Sequence, residues 1–159
     1  MSNGLNEWMQ DGRLYVWRYD TPGRGWRGWH FAADAASCRS VANLLNRMRG
    51  GEPCHRTLRL ESVTDEILRV PNYNHATAGS FEKLRVCYAP DFENLEISPE
   101  KGDLVMTVGN RRIGKLSSAF NQVEIGNGDF CIVASDIRNA DPWMFWWIPK
   151  SLVHYGKQT

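Results

Sequence analysis

The segment LVMTVGNRRIGKLSSAFNQVEIG, residues 104–126, decides between two fold classes. It opens with an apolar run typical of a strand, passes through Gly109, and continues as a helical pattern of apolar residues that stops at Gly126. Gly109 stands five positions before Gly114-Lys115, which is one residue short of a phosphate-binding P-loop. A P-loop would indicate a doubly wound α/β fold, whereas an ordinary strand followed by a helix suits an α+β domain.

The P-loop interpretation fails at the residue that should hold Mg²⁺. That position is Leu116, which has no ligand atom, and Ser117 comes one residue later, about 100° further around the helix. Leu116 also belongs to the apolar stripe that Ile113 and Phe120 define, so it should point into the core. About 45 residues follow, too few for several βαβ crossovers. The segment therefore predicts a strand and an amphipathic helix capped near Asn110.

An earlier segment has the same layout. Asp34 is a good N-cap, an apolar stripe follows it, and Gly50-Gly51 ends the pattern. Thr64 precedes a second, short helical pattern that Pro71 stops. Apolar or alternating runs predict strands at 13–20, 29–31, 55–61, 84–88, 95–97, 104–108, 129–135 and 144–148. The matching layouts leave a duplicated ββαβ arrangement open, although the two halves have negligible sequence identity.

These patterns predict one α+β domain over residues 1–159. We expect a mainly antiparallel sheet on which two main helices pack, at about 35–49 and 111–124. Residues 1–10 are polar and are expected to be poorly ordered.

Composition narrows the class of protein. The net charge of +1 provides no global field toward nucleic acid or anionic lipid. The first residues show no signal peptide, and the longest apolar run, Met144–Ile148, is far shorter than a membrane helix. We therefore expect a cytoplasmic protein that does not associate with membranes.

Metal and catalytic sites have no clear signature in the sequence. The four cysteines and four histidines are scattered, without the close pairs of a structural zinc site, so we expect no metal and no cofactor. No serine lies in a nucleophile elbow, and Cys38 falls on the apolar face of the first helix. We name no catalytic residue and consider enzymatic activity the less favoured outcome.

Two clusters are candidate binding sites. The first turns of the helix predicted at 111–124 contain three basic residues, Arg111, Arg112 and Lys115. The helix dipole disfavours cations at this end, so the cluster suggests a site for a small anion. The alternative is a set of solvated surface charges.

The second cluster is an arginine- and tryptophan-rich loop. Residues 23–28 match the dinucleotide pattern G-x-G-x-x-G, but an extended run follows instead of a helix, which favours a hairpin loop. The loop and its flank contain Arg24, Trp26, Arg27 and Trp29, the residue types enriched at protein-binding hot spots and able to stack on bases. The alternative is that the two tryptophans cover the core.

Trp143 begins an unusually apolar run. On a strand, Trp143, Phe145 and Trp147 would share one face, and Met144, Trp146 and Ile148 would share the other. A strand that is apolar on both faces is either central and covered on both sides, or part of an interface. Both interpretations stay open at this point.

Charge is segregated along the chain. Residues 1–60 hold nine arginines and five acidic residues, whereas residues 61–104 hold four basic and nine acidic residues. Opposed patches favour protein partners or self-association, including a homodimer, over nucleic acid.

The function that we expect is a non-catalytic protein-binding module of the inhibitor or immunity-factor type, with a protein partner. The first alternative is a small-molecule or anion-binding domain, with or without enzymatic activity, that uses the basic helix start at 111–115. The second is binding of single-stranded nucleic acid through the arginine- and tryptophan-rich loop, which the near-neutral charge disfavours.

Overall fold

Two amphipathic helices pack against each other at the centre of the fold. The computed structural model describes residues 4–20, 27–71 and 77–149. Helix α1 spans Ala35–Met48 and begins as predicted, because the Asp34 carboxylate accepts a hydrogen bond from the Ser37 N–H. The short helix α2 spans Asp65–Leu68. Helix α3 spans Asn110–Glu124, so both main helices lie within one residue of their predicted bounds.

In the described part of the chain, eight strands form two four-stranded sheets. Their bounds are β1 (Leu14–Trp17), β2 (Trp29–Ala33), β3 (Cys54–Arg59), β4 (Lys83–Tyr88), β5 (Glu96–Glu100), β6 (Asp103–Val108), β7 (Phe130–Ile132) and β8 (Trp143–Trp146). The first sheet has the order β1-β2-β8-β7, and the second sheet has the order β3-β4-β6-β5. In each sheet, two antiparallel pairs are joined by a parallel pair, β2 with β8 and β4 with β6.

The prediction of one α+β domain is confirmed, but the single antiparallel sheet is corrected to two mixed sheets. The parallel pair β2–β8 joins strands from opposite ends of the chain, and the parallel pair β4–β6 passes over β5, which lies between them in the chain. Local periodicity carries no signal for either pairing. The duplicated ββαβ layout is not confirmed.

The buried sides of both sheets and of both main helices pack together into one hydrophobic core. Its largest fully buried members include Phe31, Leu45, Tyr88 and Phe120. A second apolar cluster covers the other face of the first sheet and includes Trp17 from β1 and Ile67 from α2. Strands β1 and β2 of the first sheet are therefore buried on both faces. Among the described residues, no helix has both the length and the apolar composition to cross a membrane.

Strand β8 is a central strand. It lies between β2 and β7, with Trp143 and Phe145 in the main core and Trp146 in the second cluster. The Trp146 Nε1–H donates a hydrogen bond of 3.0 Å to Nδ1 of the fully buried His30. The interpretation of this run as a central strand is therefore confirmed for Trp143–Trp146, whereas Trp147 follows the strand and is 43% exposed.

Residues 4–10 pack onto the fold, whereas the rest of the segment predicted to be poorly ordered, residues 1–3, lies outside the described residues. Residues 5–7 form a short 3-10 helix, and Leu5 and Trp8 are buried in the main core. The Gln10 side-chain amide donates to the Arg59 carbonyl and accepts from the Arg59 N–H, so it covers the end of edge strand β3. Two apolar anchors therefore order a segment whose polar composition predicts disorder.

Candidate functional site

The tryptophans that were predicted as binding residues lie in the core where the structure describes them. Trp29 is 6% exposed and Trp143 is 2% exposed, and the Arg18 guanidinium covers the Trp29 ring at 4.6 Å. Arg27 forms an exposed ion pair with Asp141 at 3.4 Å. Arg24 and Trp26 lie outside the described residues, so their predicted role stays a prediction.

The backbone at residues 110–116 is helical and Gly109 is the extended residue that precedes the helix, so this segment does not form a phosphate loop. Helix α3 begins at Asn110, whose N–H donates to the Pro90 carbonyl, and the N–H of Ile113 donates to the Gly109 carbonyl. Leu116 is fully buried. These two N–H groups donate to carbonyls of the same chain, whereas the backbone N–H groups of a P-loop point at phosphate. This observation agrees with the rejection of the P-loop.

Arg112 is buried beneath the loop that joins β7 to β8, residues 133–142, which we call the β7–β8 loop. The residue is 8% exposed. Its guanidinium donates to the Glu93 carbonyl at 2.7 Å, to the Val133 carbonyl at 3.3 Å and to the Asp136 carboxylate at 2.9 Å. One side chain therefore fastens two loops to the start of α3.

Arg111 lies above this contact and is half exposed. Its guanidinium pairs with Glu93 at 3.1 Å and with Asp136 at 2.6 Å. Lys115 is exposed and makes no ion pair with a described residue. The predicted basic cluster therefore has two arginines that already contact carboxylates of their own chain, with the lysine apart from that contact.

The β7–β8 loop presents two exposed aliphatic side chains that sequence reasoning missed. Val133 is 62% exposed and Ile137 is 71% exposed, one on each side of Asp136. Backbone contacts hold the loop: the Leu95 N–H donates to the Ala134 carbonyl at 2.7 Å, and the Ile137 N–H donates to the Ser135 hydroxyl. Val133 lies in the strand predicted at 129–135, but β7 ends at Ile132, so the sequence pattern carried no signal that this residue is exposed.

Acid should weaken the contact between the loop and α3. Hydrogen bonds from Arg112 and then Arg111 lower the pKa of Asp136 below its ordinary value. A lowered pKa means that the carboxylate stabilises the fold above its unfolded pKa of about 3.9, and that this stabilisation is lost as the pH falls through the folded pKa. We expect Asp136→Asn to lower the melting temperature at neutral pH, with a difference that disappears in acid. Melting curves from neutral pH to acid would measure it.

Asp91→Asn is the control for this experiment, because Asp91 is exposed and forms no ion pair with a described residue. A difference between wild type and Asp136→Asn that is the same at every pH would contradict the assignment to this carboxylate.

Three of the four cysteines have a raised pKa, which disfavours the nucleophilic thiolate. Burial raises the pKa of Cys38 to about 12, and burial also raises the pKa of Cys54 and of Cys87. These thiols stay protonated at neutral pH. In residues 4–20, 27–71 and 77–149, no three histidine, cysteine or acidic side chains are placed to hold a metal ion together.

Comparison with known proteins identifies no relative: no protein-family model, no curated protein and no solved structure matches this chain.

Proposed function

We propose that the protein is a non-catalytic binding protein of the inhibitor or immunity-factor type, and that it recognises another protein through the β7–β8 loop. The observation that carries the proposal is the buried Arg112, which holds a loop that exposes Val133 and Ile137.

A loop held in one conformation suits binding. Association costs free energy for every loop that must become ordered, and this cost is lower when the bound conformation already exists in the free protein. Arg112 contacts the loop at Val133 and at Asp136, and Leu95 contacts it between them at Ala134. Proteins that inhibit another protein by inserting an exposed segment depend on this kind of rigidity.

The chemistry of the loop indicates the partner surface. Val133 and Ile137 would enter apolar depressions, while Arg111, Glu93 and Asp136 form a charged rim beside them. Apolar anchors within a polar rim are the usual arrangement of a protein-binding site. The partner should therefore present a small apolar pocket bordered by polar or charged groups.

The alternatives have less support. Anion binding at the start of α3 would compete with Glu93 and Asp136 for the two arginines. Nucleic-acid binding through the arginine- and tryptophan-rich loop would lack Trp29, which is buried. The proposal assumes the cytoplasm, because the four cysteines are unpaired, as in a reducing compartment.

Replacing Ile137 by aspartate tests the proposal. Tagged wild-type protein, Ile137→Asp and the control Met9→Asp would each be used to capture partners from the source organism's lysate, and the partner would then be purified for calorimetry. Met9 is 81% exposed but lies in the N-terminal segment. We expect a stoichiometric partner whose Kd is weakened roughly 30-fold by Ile137→Asp, as for a hot-spot residue, and unchanged by Met9→Asp.

Two outcomes would contradict the proposal, and they are distinct. A partner that binds wild type and Ile137→Asp equally would refute the assignment of the β7–β8 loop. The absence of any stoichiometric partner would refute the binding function itself. Melting curves would establish that each variant is folded, which we expect because both positions are exposed.

A further inference from the structure

Among the described residues, no element covers the outer face of the second sheet, whereas strands β1 and β2 of the first sheet are buried on both faces. Along β4 and β6, buried residues alternate with more exposed ones, so one side of the sheet packs on the core and the other faces solvent. A shallow concavity of about 290 Å³ crosses this outer face near Arg85 and Val105.

The register of the strands arranges the outward side chains in three rows. Each row crosses the sheet in the order β3, β4, β6, β5: His55, Cys87, Thr107 and Glu96; Thr57, Arg85, Val105 and Ser98; Arg59, Lys83, Asp103 and Glu100. The rows place cations on the β3–β4 half and anions on the β5–β6 half. Arg59, Lys83, Arg85, Glu96, Glu100 and Asp103 form no ion pair with any residue in the described part of the chain.

We propose that a second copy of this chain binds this face, through a two-fold axis parallel to the strands and centred between β4 and β6. Such an axis places the basic half of each copy over the acidic half of the other. An isologous contact requires a surface that is complementary to itself, and a face divided into cations and anions meets that requirement.

The rows match residue by residue under this operation. Arg59 would face the second copy's Glu100, Lys83 its Asp103, and His55 its Glu96. In the middle row, Thr57 would face Ser98, and the stem of Arg85 would face Val105. No cation faces a cation and no anion faces an anion. A partner of a single charge sign would instead be repelled by half of the face.

The size of the face determines the strength of the dimer. Four strands about 4.8 Å apart, with five residues of about 3.3 Å each, span roughly 300 Å² in projection. Even counted on both copies, this area is below the roughly 1,200 Å² of total buried surface under which interfaces belong to weak and transient complexes. We therefore expect dissociation in the micromolar range or weaker, and further weakening by salt because the contacts are between exposed charges. This dimer uses a different surface from the β7–β8 loop. A test of the dimer is therefore independent of a test of the proposed function.

A charge exchange tests the dimer. Arg59→Glu and Glu100→Lys each create two like-charge contacts in a homodimer, whereas an equimolar mixture of the two variants restores both attractive contacts. Sedimentation equilibrium over a series of protein concentrations would measure association. We expect wild type to dimerise, each variant alone to dimerise at least tenfold more weakly, and the mixture to dimerise like wild type. The control Arg69→Glu makes the same charge change at the end of α2 and should behave as wild type.

Two results would overturn the proposal. A wild-type protein that is monomeric at every concentration would exclude the dimer, and a mixture as weak as the separate variants would exclude the two-fold arrangement. Melting curves would test that Arg59→Glu and Glu100→Lys are folded. If either is not, Lys83→Glu and Asp103→Lys form a second pair with the same expected results.

Discussion

Replacing Arg112 by alanine is expected to lower the free energy of unfolding by about 3 kcal/mol. The guanidinium is buried and donates to the carbonyls of Glu93 and Val133, and a hydrogen bond from a charged donor contributes about 1.5 kcal/mol or more. The contact with Asp136 adds little to this figure because that carboxylate is exposed to solvent. Urea unfolding of wild type and variant would measure the difference.

Arg111→Ala is the matched control, since Arg111 is adjacent, contacts the same two acidic residues and is half exposed. Its loss should change the free energy of unfolding by less than about 1 kcal/mol. Hydrogen exchange gives a local readout: the Leu95 amide, bonded to the Ala134 carbonyl, should exchange faster in Arg112→Ala than in Arg111→Ala. Equal losses in the two variants would show that Arg112 does not fasten the loop.

The helices could be predicted from the sequence because their signals are local. The Asp34 cap, the apolar stripes and the glycines at 50 and 126 each act within a few residues, and the observed bounds follow them. The division into two sheets could not be predicted, because the pairing of β2 with β8 joins opposite ends of the chain. Hydrophobic pattern shows that a strand is buried, not which strand lies beside it.

The same limit applies to the candidate site. The sequence places Arg111 and Arg112 at a helix start, but their acidic partners lie 18 and 24 residues away, in loops. An isolated basic cluster indicates an anion site, whereas the folded chain already provides two carboxylates. Trp29 and Trp143 were open to two interpretations because tryptophan suits both cores and interfaces, and burial is a property of the whole fold. Val133 and Ile137 stand out only after their exposure is known.

Replacing Gly109 by alanine is expected to destabilise the protein by more than about 3 kcal/mol or to prevent folding. A Cβ at this position would lie 2.2 Å from the Phe92 carbonyl oxygen and 2.5 Å from the Ala89 carbonyl oxygen. Both are backbone atoms of a turn that is itself held, since the Ala89 N–H donates to Val108 and the Phe92 N–H donates to Ala89. The clash cannot be relieved by a side-chain rotation, so the turn or the start of α3 must move.

Gly114→Ala is the control within the same helix. Its Cβ would meet the Arg49 guanidinium at 3.2 Å, a flexible side chain that can shift. Removal of a glycine from a helix interior should then raise the free energy of unfolding by up to about 1 kcal/mol. Urea unfolding of both variants would measure the contrast, and a Gly109→Ala protein as stable as wild type would contradict it. A loss of stability in Gly109→Ala but not in Gly114→Ala would explain why a glycine stands at position 109. The glycine allows the end of β6 to approach a backbone turn. Its presence, which makes this segment resemble a phosphate loop, then needs no phosphate to account for it.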